Sequence, residues 1–109
     1  MPRARRMSNS QDINGEDSDR LLEIVLTALD DMKGVDVRVI DVRDLTSITD
    51  RMVIVSGTST RHVKALAEHV ALQAKQHGYK PLGIEGENAA EWVLVDLADV
   101  VVHVMLPEI

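Results

Sequence analysis

Acid–base and ligand chemistry in this chain would fall to four histidines and a surplus of carboxylates, for the sequence contains no cysteine. Disulfides, thiolate metal sites and cysteine nucleophiles are thereby excluded. His62 and His69 lie seven residues apart in one helical pattern, with no Asp or Ser at obvious triad spacing, and His77 decorates that pattern's end. His103 stands in an apolar run whose neighbours Val102 and Val104 point the other way. That is the setting of a hydrogen-bonded structural histidine rather than a general base. Glu85 and Glu87 share a side if their loop is extended, so together they could face a hard cation. Two carboxylates without a third ligand nearby make a poor cation cage. The expectation is no catalytic residue, no metal and no cofactor, with the acidic loop meeting a basic partner instead.

The turn Gly57-Thr58-Ser59 between an apolar run and a helical pattern can aim backbone N–H groups at an anion. It is similar to the Gly-Ser turn of nucleotidyltransferases. Those enzymes also need a carboxylate pair on a neighbouring strand to hold magnesium. Asp41 and Asp44 are three residues apart, as are Asp96 and Asp99, so an extended strand sends each pair to opposite faces. The turn reads better as a helix cap supplied by Ser59 or Thr60.

Trp92 and Tyr79 are the only aromatic residues, and phenylalanine is absent. A stacking platform for RNA is hard to build from that inventory. Trp92 sits where an acidic loop enters a strand. It is either a core anchor or an exposed contact residue, a role tryptophan fills well because it covers much area at small entropic cost. Its neighbours Glu87 and Glu91 lean towards exposure. The net charge of −6 understates the acidity of the body, because Arg3, Arg5 and Arg6 all lie at the start. An acidic body repels phosphate backbones and suits a basic partner.

These residues must be positioned by a small α/β (α+β) domain. Residues 1–17 read as a disordered, polar leader and 18–109 as one domain. Ser18 is the expected N-cap of a first helix carrying Leu22, Val25, Leu29 and Met32 at helical spacing, with Gly34 as its stop. Val35 to Val42 is a β-branched strand. Met52 to Ser56 has the apolar continuity of a central strand buried on both faces. A second helix follows, with Val63, Leu66, Ala67, Val70, Ala71 and Ala74 on its apolar side and Gly78 at its end. A short extended segment lies within Tyr79 to Ile84, and Trp92 to Leu97 and Val100 to Leu106 form a hairpin turning at Ala98-Asp99. The order α-β-β-α-β-β-β predicts one mixed five-stranded sheet with helices packed on it. The apolar runs are strand-sized and adjoin charges, so no transmembrane helix is expected. With no secretory signal either, a cytoplasmic location is the expectation.

Five segments in order carry a resemblance: Ser47-Ile48-Thr49-Asp50; Gly57-Thr58-Ser59-Thr60-Arg61-His62-Val63; Gly83-Ile84-Glu85-Gly86-Glu87-Asn88; Glu91-Trp92; and Asp99-Val100-Val101-Val102-His103-Val104. From about Leu21 to Leu106 the chain resembles the ribosomal silencing factor family, also called Iojap-related proteins. The resemblance implies binding to ribosomal protein L fourteen on the joining face of the large ribosomal subunit. A domain seated there blocks docking of the small subunit and represses translation when nutrients are scarce; organellar relatives act in large-subunit assembly. No catalysis belongs to that role, and direct nucleic acid contact is expected to be slight. An interface of about 800 Å² per partner is within reach of a domain this size.

By the same resemblance Trp92 matches a tryptophan of the partner contact. Glu85, Glu87, Glu91 and Asp96 are the candidates for pairing with basic side chains of the partner. Strand alternation puts Trp92, Leu94 and Asp96 on one face. Two features depart from the family pattern. Relatives usually carry an Arg-x-x-Tyr-x-Leu-Glu type helix after the last strand, where this sequence reads Leu106-Pro107-Glu108-Ile109, so some apolar cover of the sheet is expected to be missing. Ala98 replaces a glycine common in the hairpin turn, and a turn of slightly different shape is expected to spare alanine a positive φ. Two other classes remain open: a nucleotidyltransferase-like enzyme remnant, against which the missing carboxylate pair speaks, and a homodimeric scaffold pairing through a sheet edge.

Overall fold

The structure is a computed structural model that describes residues 13–109. Its elements are α1 (Ile13–Asp31), β1 (Val35–Asp41), β2 (Arg51–Ser56), α2 (Thr60–Gln76), β3 (Gly83–Glu85), β4 (Trp92–Asp96) and β5 (Val100–Met105). The order and the five-stranded mixed sheet agree with the sequence reading. In space the strands run β1-β2-β5-β4-β3. Only β2 and β5 pair in parallel; the other neighbours are antiparallel.

Both helices lie on one face of this sheet. Leu21, Val25, Ala28 and Leu29 of α1 recur at helical spacing and join Val63, Leu66, Ala67, Val70 and Ala74 of α2 in one core. The alternate strand residues Val53 and Val55, Val93 and Val95, and Val102 and Val104 complete it. Strand β2, expected to be buried on both faces, is fully buried on one only. In β2 full burial alternates with half-burial, because no helix among the described residues covers the second face. The central position belongs to β5 instead.

Three local expectations are also revised. The first helix begins at Ile13, not at Ser18, so residues 13–17 are helical rather than leader; the rest of the expected leader, residues 1–12, lies outside the described residues. Ser18 sits inside the helix and is 1% exposed. Lys33, with φ 60°, takes the left-handed position that ends α1. Gly34 is required for room, since a Cβ there would stand 2.7 Å from Cγ2 of Val55. At the hairpin, Ala98 does adopt a positive φ, 71°, contrary to the expected change of turn. Two bonds hold it there: Asp99 N–H donates to the Leu97 carbonyl at 3.0 Å, and Ala98 N–H donates to Asp96 Oδ1 at 2.9 Å.

The second helix follows its sequence signals closely. Ser59 is the N-cap, its hydroxyl accepting from the His62 N–H at 3.1 Å. At the other end Tyr79 N–H donates to the Ala74 carbonyl and Gly78 N–H to the Lys75 carbonyl, with Gly78 at φ 93°. This is a Schellman closure.

Candidate functional site

The face of the sheet away from the helices gathers the residues singled out by sequence. Trp92, Leu94 and Asp96 project from β4 on the side opposite Val93 and Val95. Strand register sets their neighbours, since residues opposite one another share a face. Glu85 of β3 lies opposite Leu94, and His103 of β5 flanks Leu94 on its other side. Ile54 of β2 lies opposite His103, and Arg38 of β1 opposite Ile54. The result is an apolar strip from Met52 and Ile54 through Val101 and Met105 to Leu94 and Trp92. Carboxylates stand at the β3–β4 end and Arg38 at the β1 end.

Trp92 is 53% exposed, which removes the core-anchor alternative. Its ring is nonetheless held. The indole Nε1–H donates to His103 Nδ1 at 3.1 Å, and the two rings lie 5.9 Å apart between centroids at 48°. Indole is a donor only, so the imidazole must present a bare Nδ1 and carry its proton on Nε2. Burial of His103 lowers its pKa below the ordinary imidazole value and so favours that neutral form.

The other predicted site residues divide in two. Glu85 and Asp96 share the face of Trp92; Asp96 also has a structural task, bracing the Ala98 turn. Glu87 and Glu91 belong to the loop at residues 86–91, the first half-buried and the second exposed. That loop passes close to the Trp92 backbone at Gly86, whose φ is 91° and whose added Cβ would collide with the Trp92 carbonyl oxygen. In the sequence His103 reads as a structural histidine with no partner in view. The register of β4 against β5 was needed to set it beside Trp92.

The remaining histidines bond to backbone or to a side chain of the other helix, His77 Nδ1 donating to the Gln73 carbonyl at 2.9 Å. His62 Nδ1 accepts from the Thr58 N–H at 2.9 Å and its Nε2 donates to the Met32 carbonyl at 2.8 Å, tying the start of α2 to the end of α1. His69 reaches Asp31 at 3.3 Å across the same helix pair. Among the described residues no group of three or more His, Asp or Glu could hold a metal ion. Nor is any helix among them long and apolar enough to cross a membrane.

Residues 15–109 match the family described as "Ribosomal silencing factor during starvation". The chain belongs to the ribosomal silencing factor family. It is 44% identical over 85 residues to a ribosomal silencing factor of Haemophilus influenzae, covering 78% of this chain and 83% of that one. A crystal structure of a protein from Chromobacterium violaceum superposes with a TM-score of 0.80 at 46% identity, over 82% of this chain and 74% of that chain. A mouse protein named for mitochondrial assembly of the ribosomal large subunit is 35% identical over 92 residues, which span 80% of this chain and 40% of the mouse protein. The sheet and both helices described above are therefore the silencing-factor fold.

Proposed function

We propose that this silencing-factor chain binds the large ribosomal subunit through ribosomal protein L fourteen and, once seated, keeps the small subunit from docking. Trp92 carries the reading: a large aromatic side chain, more than half exposed, on a strand face that no described helix covers. Such a residue gains area and affinity when a partner closes over it. The mouse relative's name points to the large subunit as the object of recognition. Glu85 and Asp96 on the same sheet face as Trp92, with Glu87 and Glu91 on the adjoining loop, would pair with basic side chains of the partner and steer its approach. The action is steric and cytoplasmic; it needs neither cofactor nor catalysis, and its output is repression of translation under nutrient limitation.

The test is a binding assay of purified large subunits with the wild-type chain and Trp92→Ala. Trp92→Ala is expected to weaken binding by about 2 kcal/mol or more, roughly thirtyfold, while the chain stays folded. Wild-type affinity in a folded Trp92→Ala chain would overturn the assignment of the face.

A second reading has its own observation. Edge strand β1 is exposed along its whole length, with Val37 and Val39 at 39% and 44%. Pairing of this edge with a second copy would bury them. Sedimentation showing only monomer across the micromolar range would remove that reading.

A further inference from the structure

We propose that His103 is the positioning residue of Trp92: neutral imidazole holds the indole in the orientation that meets the partner, and protonation of His103 releases it, so that partner binding weakens on acidification. This rests on the reading that the Trp92 face is the partner-binding surface.

Trp92 has one polar atom, a donor, and that donor is committed to His103 Nδ1 at 3.1 Å. The tryptophan stands at the first position of β4, with over half its surface in solvent. An aromatic residue so exposed would otherwise sample several rotamers, and ordering it on binding would cost affinity. The indole–imidazole bond and the tilted ring contact impose that order beforehand.

Protonation reverses the contact. Imidazolium carries a proton on both nitrogens, so at Nδ1 two donors would face each other across the same distance. The neighbours of His103 on the open face offer only partial compensation. Beside it on β5 are Val101 and Met105, and β2 presents Met52, Ile54 and Ser56, none of which titrates near neutral pH. Asp96 of β4 and Glu85 of β3 are the nearby acids, and Asp96 already braces the Ala98 N–H; Arg38 of β1 stands beyond Ile54 as a like charge. Burial of the ring disfavours the charged form further. A partner closing over the face removes more water, so the complex binds the proton less readily than the free chain. Binding must then weaken as pH falls.

The sole tryptophan gives a direct readout in the free chain. Its fluorescence and indole N–H chemical shift, followed from about pH 7.5 to about pH 5, should show a titration in wild type and none in His103→Asn. That variant keeps an acceptor near the Nδ1 position but cannot ionise. Binding of purified large subunits is measured alongside at both ends of the range. His103→Leu, which removes the acceptor, should bind about fivefold more weakly at neutral pH. His103→Asn should restore affinity and abolish its pH dependence. A wild-type Trp92 signal that does not change with pH, or a folded His103→Leu chain binding as tightly as wild type, would overturn the proposal. Failure of wild type to bind large subunits at any pH would overturn the partner reading and the binding role of the pair with it. The fluorescence titration would still report separately whether His103 governs Trp92.

Discussion

Ser18 is fully enclosed within α1, and its hydroxyl has no hydrogen-bond partner among the described residues. An enclosed hydroxyl without a partner costs stability, and serine is a poorer helix former than alanine. Ser18→Ala should therefore raise stability by about 1 kcal/mol in urea denaturation. Had Ser18 been the N-cap, the same change would have cost about that much. Gly86 offers the opposite case. Its positive φ and the nearby Trp92 carbonyl leave no room for a side chain, so Gly86→Ala should destabilise by about 2 kcal/mol or more and disturb the Trp92 fluorescence.

Elements show which local signals survive folding. The cap of α2 was legible because Ser59 and Gly78 act through their own helix, and Ser59→Ala should cost about 1 kcal/mol in the same assay. The start of α1 was not legible from a polar run alone. In the folded chain the Tyr79 hydroxyl, at the far end of α2, donates to Asp17 Oδ1 at 2.6 Å, a contact between residues remote in sequence. The β4–β5 hairpin is legible in the sequence, whereas the conformation of Ala98 is not. Strand pairing demands a tight reversal there, and alanine accepts the left-handed conformation at a cost of roughly 1 kcal/mol. Ala98→Gly should relieve that strain at some expense in chain entropy, for a net gain of about 0.5 kcal/mol. An unchanged urea midpoint would mean that the strain at Ala98 is no larger than the chain entropy glycine costs.

For the whole molecule, placing both helices on one face leaves the other uncovered by any described helix and makes the environment of His103 a property of the entire sheet. That environment has a consequence for folding itself. The folded pKa of His103 lies below its unfolded value of about 6.5, so the unfolded chain takes up the proton first on acidification. The stabilisation is complete above that value and is lost as pH falls from it towards the folded pKa. Urea stability should therefore decline below about pH 6.5, and part of that slope should vanish in His103→Asn. An identical slope in the variant would assign the effect to other groups.

Sequence alone determined the order of elements, the core-facing residues of α2, the absence of thiol chemistry and the shared face of Trp92, Leu94 and Asp96. Each follows from short-range periodicity or composition. Tertiary structure decided that β5 rather than β2 is central, that Trp92 is exposed, and that His103 is its partner. These depend on strand order and register, which join residues far apart in the chain and leave no local trace.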